Sequence, residues 1–423
     1  MSGGIEREAE RDEVKMKDKK DIGLLFYMPR YGGGTFQLTD NVMCALEDYA
    51  DSREGTRIHI FFNNKQAAAM TEVGTRFPRF VKHRLGESVR LVSAVLRRVF
   101  LAVPWFAPVL RRIYPLTWIA RGAGIEVMLF PGITPDASLY KAKQITLFTD
   151  IAHIFFPQFP ELAAKGELRR RNILFRYCVR YADEVVVESK QLRDDTVKYY
   201  GAQRSRVSIL HQTMSQTLER LEEESQGSEA LRFAATLPER YFFYPAQMWE
   251  HKNHKNLLVA MKQLLRDHPD VYLVLVGSRK EGDQRIFALI NDLGLSERVK
   301  WFGYVSDGAI RILYKNAEAL VKPGYIGPTN IPTIEAFFYE CPAVISDLPG
   351  VREQTGDAAL LFDPDSPEDI ASKLRSILED PRLRETLVTR GRERLTELGY
   401  RQYREKLAAI LDRHLGIHKS NVS

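Results

Sequence analysis

From Asp21 onward, the chain alternates between short apolar runs and longer amphipathic stretches. Twelve runs are nearly continuous in apolar residues and rich in Val, Ile, Leu and aromatic residues. Such runs are typical of strands covered on both faces, as in a parallel sheet between helices. The pattern predicts strands at 21–27, 57–63, 125–132, 143–150, 184–189, 207–211, 241–246, 271–277, 299–303, 319–324, 342–346 and 358–362.

The predicted strands form two sets, separated by a polar stretch without a strand signal. Alternation of strands and helices in each set predicts two doubly wound α/β domains. The six acids and six bases of the first twenty residues predict a disordered charged tail. The amphipathic end of the chain predicts a helix that crosses back to the first domain. The predicted organisation is a tail at 1–20, a first domain at 21–211, a linker at 212–239, a second domain at 240–398 and a C-terminal helix at 399–423.

The net charge of +6 is concentrated in one segment. Residues 76–121 contain ten Lys or Arg and one acid, so this segment carries +9 and the rest of the chain carries −3. Because the basicity is local, we expect no nucleic-acid partner. Three widely spaced cysteines and the lack of an opening secretory pattern predict a cytoplasmic location.

A loop rich in Gly and Pro joins a predicted strand to a predicted helix within Val321–Ser346. Thr329 and Asn330 are suitable N-cap residues, and Pro332 suits the first helical position. Such a loop leaves backbone N–H groups free for an anion such as a diphosphate. Glu335 lies one turn into the helix, where a carboxylate can accept both hydroxyls of a ribose. The alternative is a capped surface helix in which the dipole favours Glu335.

This segment resembles the donor domain of the large retaining glycosyltransferase family 4. The family's hallmark is two glutamates eight positions apart before EA and G-x-P-V, and IEA and ECPAVIS match its second half. Glu335 falls on the second glutamate, whereas Gly327 stands where the first belongs. The GPTN loop is a variant associated with a subset of bacterial polysaccharide-assembling members. The resemblance assigns to the donor Gly327, Pro328, Thr329, Asn330, Ile331 and Glu335.

YPAQMWEHKNHKNLL resembles the family strip in which a basic residue precedes a K-N-L or K-G helix start. The family's lysine neutralises the donor diphosphate and maps onto Lys255, beside Asn256, with Lys252 as a second candidate. Gln247 stands at the position of the family's usual arginine. Gly277, which ends a predicted strand, is assigned to the donor as well. The alternative for each lysine is a solvated helix start.

In the first half, MPRYGGGTFQLTDNVMCAL places three glycines between a strand and an amphipathic helix, without the G-x-G-x-x-G spacing of NAD-binding folds. In the resembled family this loop, with Gly33 and Gly34 here, lies against the donor phosphates and the acceptor. TLFTDIAHIFFPQFP resembles the family's H-D-x-x-H-x-x-x-P stretch. Thr149 replaces its first histidine, and Asp150 and His153 are retained. The alternative for His153 is a hydrogen bond to a loop.

The resemblance implies two facing Rossmann-like domains, the GT-B architecture. The second domain would hold a nucleotide diphosphate sugar, and the first a glycan or lipid-linked acceptor, with retention of configuration. Helix-terminal N–H groups and Lys255 would stabilise the departing diphosphate, so no metal or other cofactor is expected. We expect Glu335, Lys255, Asp150 and His153 to be catalytic. Asp363–Asp365 imitates a metal-binding D-x-D, but the residues after it predict a turn and helix cap.

The basic segment contains a predicted amphipathic helix. One stripe at helical spacing consists of Leu85, Val89, Val92, Leu96, Val99 and Val103. The longest uncharged run of the segment has twelve residues, too few to span a bilayer. We expect Arg90, Arg97, Arg98 and Trp105 to hold the protein peripherally on an anionic cytoplasmic leaflet. The alternative is a core-packed helix with a solvated basic face.

Two functions from other classes stay open on the sequence alone. A sugar-nucleotide epimerase can share the architecture, but it needs acids and histidines in the cleft and no acceptor. A catalytically silent carbohydrate- or partner-binding relative is compatible with Gly327, Thr149 and Gln247. Transfer or slow hydrolysis of a donor, formation of an epimer, or neither would distinguish the three.

Overall fold

The computed structural model describes residues 19–26, 34–63, 66–214, 216, 232–280, 283–327 and 330–417. Residues 1–18 of the predicted tail, most of the predicted linker, Gly33, Pro328 and Thr329 lie outside these ranges. Within the described residues the chain forms two α/β units, each built on a parallel sheet.

The first sheet has seven strands in the order β3-β2-β1-β4-β5-β6-β7, and the second has six in the order β10-β9-β8-β11-β12-β13. Every pairing is parallel. The strands are β1 Lys20–Leu25, β2 Thr56–Phe62, β3 Val81–Arg84, β4 Val127–Phe130, β5 Gln144–Phe148, β6 Glu184–Val187, β7 Val207–Ile209, β8 Tyr241–Pro245, β9 Tyr272–Val276, β10 Val299–Trp301, β11 Ala319–Lys322, β12 Ala343–Ser346 and β13 Ala359–Phe362.

Helices cover both sheets. Those with bounds in the described residues are α1 Gly34–Asp51, α2 Ala67–Arg76, α3 Glu87–Ala102, α4 Ala107–Ile113, α5 Pro115–Gly122, α6 Pro135–Leu139, α7 Ala152–Phe155, α8 Pro160–Ala163, α9 Glu167–Tyr181, α10 Lys190–Tyr200, α11 His254–Leu264, α12 Asp283–Asp292, α13 Asp307–Asn316, α14 Ile331–Phe338, α15 Val351–Thr355, α16 Pro367–Glu379, α17 Pro381–Leu398 and α18 Tyr400–Leu415.

All twelve predicted strands are present, most of them shorter than the apolar runs, and the fold class is confirmed. Strand β3, which falls inside the basic segment, was not predicted. Its sequence VKHR has no apolar run, and it pairs with β2 alone at the edge of the sheet. An edge strand of exposed polar residues carries no burial pattern, so periodicity could not reveal it.

Each sheet reverses its strand order at one place, between β1 and β4 in the first sheet and between β8 and β11 in the second. At such a switch point the connections leave in opposite directions and open a crevice at the carboxyl ends of the strands. The apolar cores lie on the two faces of each sheet, with Leu24 and Met128 in the first unit and Phe242 and Phe243 in the second. The two switch points therefore define where a ligand site is expected.

The final helix α18 packs against the first unit, as its amphipathic pattern predicts. Leu407 and Leu411 are buried in the same core as residues of β1 and α1. Asp412 accepts a hydrogen bond from the Tyr49 hydroxyl at 2.8 Å and an ion pair from Arg53 at 2.7 Å. The chain thus crosses back from the second unit and ties the two units together.

Candidate functional site

Two lysines lie at the switch point of the second sheet. Lys322 is the last residue of β11, and Lys252 lies in the short turn between β8 and α11. The Lys252 backbone packs against Gly324, where an added Cβ would lie 3.6 Å from the Lys252 Cα and 3.4 Å from the His251 carbonyl oxygen. The loops that follow β8 and β11 are therefore in direct contact, which brings both lysines to one place.

Lys322 is buried, and its ammonium donates to the Gly327 carbonyl at 2.9 Å. Burial, helped by the nearby charge of Lys252, lowers the pKa of Lys322 to about 7. Lys322 was not among the predicted site residues. Its signal was a lysine ending an otherwise apolar strand, because buried lysines are rare and need a compensating partner.

Lys252 is half-buried, and its charge interacts with carboxylates of the first unit. Burial lowers the pKa of Lys252, and the carboxylates of Asp150 and Glu161 oppose that effect. Lys255 lies one residue into α11 and is exposed. The structure therefore favours Lys252, the second candidate, over Lys255 as the cation of the crevice.

Helix α14 has the predicted N-cap residue Asn330, but it begins at Ile331, so Pro332 is its second residue and not its first. The Asn330 side chain accepts from the Thr333 N–H at 3.1 Å, and the Asn330 N–H donates to Gln354 at 3.0 Å. Gly327 adopts φ 82°, a conformation that favours glycine. Since Asn330 caps the helix and Pro332 has no N–H, α14 offers fewer free N–H groups to an anion than the sequence predicts. The lysines must supply most of the positive charge.

Glu335 is only 4% exposed, and a side chain of the first unit contacts it. Its carboxylate accepts from the Tyr314 hydroxyl at 2.9 Å and from the Gln37 side-chain amide at 3.0 Å. Burial raises the pKa of Glu335 to about 7 despite these bonds. Each oxygen of this buried carboxylate accepts one hydrogen bond from a neutral side chain. A hydroxyl of a ligand can donate in the same way, so it could replace one of these side chains.

The first unit forms the opposite wall of the crevice. Gln37 comes from α1, just after the glycine loop, and reaches Glu335 across the two units. Glu161 accepts from the His251 backbone N–H at 2.9 Å and bonds the same residue's Nδ1. The Phe159 ring lies 5.4 Å from that of Tyr325, centroid to centroid. These contacts were not predicted, because nothing local in a sequence specifies which residues meet across two domains.

Asp150 lies after β5, at the carboxyl end of the first sheet, as expected. Its carboxylate accepts from the Ala152 N–H at 2.9 Å, which fixes the start of α7. The residue also lines a cavity of about 220 Å³ formed by the ends of β1, β4 and β5 and by α9. The lining is largely apolar and includes Phe130, Phe148 and Leu174, with Arg170 among its polar residues. This cavity lies at the switch point of the first sheet.

His153, which was predicted to be catalytic, is not among the residues that line this cavity. The ring is buried, lies 4.7 Å from the Phe175 ring centroid and bonds the Tyr200 hydroxyl at 2.9 Å. Burial, helped by the charge of Arg171, lowers the pKa of His153 to about 4. These contacts bury the ring within the first unit, and its hydrogen-bond partner Tyr200 lies on α10 and not on a loop.

The remaining predicted donor residues have structural partners. Gly277 adopts φ 147°, and an added Cβ would lie 2.2 Å from the Ala246 carbonyl oxygen, so only glycine fits this close approach of two strand ends. The Asn256 amide donates to the Pro364 carbonyl at 2.8 Å. Gly34 begins α1, and Ile331, buried, begins α14. Ser366 caps α16 after Asp363–Asp365, which confirms the predicted turn and cap.

Comparison with known proteins supports this description. Residues 228–394 match the family described as Glycosyl transferases group 1. The O-antigen chain mannosyltransferase RfbU of Salmonella typhimurium is 25% identical over 212 residues, which cover 50% of this chain and 55% of that protein. The O-antigen chain mannosyltransferase B of Escherichia coli is 30% identical over 152 residues, covering 36% of this chain and 40% of that protein. The matches thus span about half the length of these relatives or less.

Solved structures share the fold across both units. Anabaena Alr3699/HepE, solved in complex with UDP and glucose, has a TM-score of 0.65 at 16% identity and covers 93% of this chain and 100% of its own. WaaG, a glycosyltransferase involved in lipopolysaccharide biosynthesis, has a TM-score of 0.62 at 15% identity, with coverage of 92% and 99%. The arrangement of two Rossmann-like units is therefore that of the GT-B glycosyltransferases. The segment that matches the glycosyl transferases group 1 family, residues 228–394, contains Lys252, Lys322 and Glu335.

Proposed function

We propose that this protein transfers a sugar from a nucleotide diphosphate sugar to an acceptor bound in the first unit. The observation that carries the proposal is the convergence of Lys252 and Lys322 at the switch point of the second sheet, beside the Gly327 loop. Two like charges held together and partly removed from water are destabilising, and the carboxylates of Asp150 and Glu161 offset this at Lys252 only in part. A diphosphate bound at this position would favour the charged form of both lysines, and its attraction to them would contribute to its binding affinity.

Glu335 supplies the second half of donor recognition. Its carboxylate is held by the Tyr314 hydroxyl and the Gln37 amide, both neutral donors. The paired hydroxyls of a ribose are donors of the same kind, so they could replace Gln37 without leaving the buried carboxylate unsatisfied. Release of Gln37 would also loosen one of the contacts between the two units when the donor binds.

The cavity at the switch point of the first sheet is the proposed acceptor site. Asp150 contributes both to this cavity and to the electrostatic surroundings of Lys252, so the cavity borders the proposed diphosphate position. An acceptor hydroxyl placed there would approach the sugar beside its leaving group. The similarity of half of this chain or less to O-antigen mannosyltransferases favours a glycan or a lipid-linked glycan as the acceptor class.

The chemistry we propose is direct exchange of one glycosidic bond for another. The bond from the anomeric carbon to the diphosphate breaks, the acceptor oxygen bonds that carbon, and the acceptor proton leaves with the diphosphate. Lys252 and Lys322 stabilise the charge that grows on the leaving group, a role for which a divalent cation is then not required. Retention of configuration is proposed because residues 321–346 resemble the retaining family.

The test is incubation of the full chain with UDP-, GDP-, dTDP- and ADP-sugars, with and without candidate acceptors. We expect one donor class to be consumed, slowly by hydrolysis alone and faster with the acceptor, and at the same rate with EDTA. NMR of the product should show the donor's anomeric configuration. Formation of a donor epimer without an acceptor would replace the proposal with an epimerase. Binding of carbohydrate without any donor consumption would replace it with a silent binding protein.

A further inference from the structure

Exposed apolar side chains are concentrated in one part of the first unit. Thirteen large hydrophobic residues are exposed among the described residues, and ten of them fall between residues 81 and 118. These ten are Val81, Leu91, Val92, Val95, Val99, Trp105, Phe106, Val109, Ile113 and Trp118. Single exposed apolar residues are common on proteins, but a run of this density marks an interaction surface. We call this set the apolar face.

Helix α3 supplies the first half of the apolar face. Its buried residues are Ser93, Leu96 and Phe100. The opposite, exposed side carries Leu91, Val92, Val95, Arg98 and Val99. The predicted apolar stripe is therefore divided, since Leu96 is buried whereas Val92 and Val99 are exposed. Helix α3 is therefore apolar on both sides, and the side with Leu96 and Phe100 packs within the first unit.

The turn after α3 and the helices α4 and α5 supply the second half. Trp105 is 74% exposed and meets Phe106 edge-on at 5.9 Å between centroids. Ile113 and Trp118 are exposed on α4 and α5. Tryptophan side chains with one apolar and one polar edge are favoured at the interface between lipid chains and headgroups.

Part of the predicted basic charge is paired within the protein. Arg97 pairs with the buried Asp136 at 3.1 Å, and Arg90 pairs with the exposed Glu87 on the same helix. Arg111 lies 3.8 Å over the Tyr181 ring.

The exposed bases that accompany the apolar face include Lys82, Arg98, Arg112 and Arg121, against the single acid Glu87. Arg98 lies on the same exposed side of α3 as Leu91 and Val95. A surface that combines exposed aliphatic and tryptophan side chains with an excess of bases complements an anionic bilayer, which offers both acyl chains and phosphates. A protein partner would have to supply both features on one complementary patch.

We propose that the apolar face inserts into the headgroup region of an anionic membrane, with Leu91, Val95 and Trp105 contacting acyl chains and Arg98 and Arg112 contacting phosphates. None of the helices in the described ranges is long and apolar enough to cross a bilayer, so the attachment is interfacial. Because apolar contact carries most of it, added salt weakens the attachment only in part.

The apolar face is connected to the cavity of the first unit through α6. Thr134 lines that cavity and caps α6, and Asp136, in the first turn of the same helix, holds both Arg97 of α3 and Tyr114. Attachment would therefore place the cavity near the lipid surface. This consequence rests on the proposed function, whereas the membrane attachment does not.

The first test is co-sedimentation of the full chain with vesicles of phosphatidylcholine alone or mixed with phosphatidylglycerol. We expect binding to rise with the anionic lipid and to persist in part at high salt. L91Q/V95Q/W105S should bind about tenfold more weakly, whereas R98Q/R112Q should lose chiefly the dependence on anionic lipid. The matched control is Y304S, because Tyr304 is 67% exposed on the second unit and should bind like the wild type.

The second test needs no destabilising change. Brominated lipids should quench Trp105 and Trp118 in the wild type, and W105F/W118F should lose that quenching while it still binds. The proposal is overturned if the wild type binds neither kind of vesicle at low salt, or if a triple variant with an unchanged melting curve binds like the wild type. It is also overturned if sedimentation velocity shows that the face instead joins two copies of this chain and vesicles do not compete. Donor hydrolysis in the triple variant, measured without vesicles, should be unchanged, so this result is separate from the proposed activity.

Discussion

The two walls of the crevice differ in what they bury. The second-unit wall buries Lys252, Lys322 and Glu335. Burial favours the neutral form of each group, so it lowers the pKa of both lysines and raises the pKa of Glu335. The first-unit wall is a mainly apolar cavity with Asp150 at its edge. Burying ionisable groups lowers stability unless a partner compensates, whereas an apolar cavity selects mainly by shape. The comparison indicates that the second-unit wall suits an anionic ligand, whereas the first-unit wall suits a substrate recognised by its shape.

The largest effect should follow from K252A. If the Lys252 ammonium acts on the departing diphosphate, its loss removes an interaction that strengthens in the transition state. We expect kcat to fall about 100-fold or more, with a smaller change in donor affinity. Steady-state kinetics and calorimetry would measure the two effects separately. Equal losses in both would assign Lys252 to ground-state binding, and unchanged kinetics would remove it from the site.

E335Q should weaken donor binding while leaving the fold intact. Glutamine cannot accept two charge-assisted hydrogen bonds from a ribose, a loss of ~1.5–3 kcal/mol. That corresponds to about ten- to a hundredfold in donor affinity by calorimetry. Q37A provides the contrast, because removing Gln37 frees Glu335 for a ligand and should not weaken binding. Equal losses in Q37A and E335Q would mean that the bond between the units, and not a ribose contact, controls affinity.

The affinity for the donor should pass through a maximum near pH 7. Below about 7, Glu335 holds a proton and is a poorer acceptor for hydroxyls, and above about 7, Lys322 loses the charge that attracts the diphosphate. E335Q should therefore abolish the acidic limb and K322M the alkaline limb, which calorimetry between pH 5.5 and 8.5 would show as an about tenfold change each. A profile that neither variant alters would place the titrating groups elsewhere.

Glu335 should also make the stability of the ligand-free protein depend on pH. Because the pKa of Glu335 is raised from 4.5 to about 7 in the folded protein, the folded state binds more protons than the unfolded state between those values. Stability from this group is complete below about 4.5 and decreases as pH rises toward 7. The difference in Tm between E335Q and the wild type should therefore increase in favour of the variant across this window. A difference independent of pH would contradict the buried, protonated carboxyl.

K255A should have the smallest effect. The Lys255 side chain is exposed on α11, and exposed charges are largely screened. We expect kcat and donor affinity to change less than about twofold, which makes this variant the matched control for K252A. A loss as large as that of K252A would restore Lys255 to the role that the family resemblance first assigned it.

The sequence predicted most of the fold because buried parallel strands leave continuous apolar runs, and twelve of them appear where expected. It predicted the N-cap at Asn330 because capping chemistry is local. The edge strand β3 and the exposed stripe of α3 were missed or misread, since an apolar pattern does not show which side meets the core. Lys322, Gln37 and the burial of His153 depend on strand order and on contacts across the chain, which local patterns do not encode.

The most direct test of the central claim compares nucleosides with their diphosphates. Calorimetry of the full chain would use uridine, guanosine, thymidine and adenosine beside UDP, GDP, dTDP and ADP, with the wild type and K252A/K322M. The account predicts that one diphosphate binds the wild type at least about 100-fold more tightly than its nucleoside, and that the double variant loses most of this difference. If no diphosphate binds, or if the double variant retains the full difference, the crevice between the two units is not the donor site.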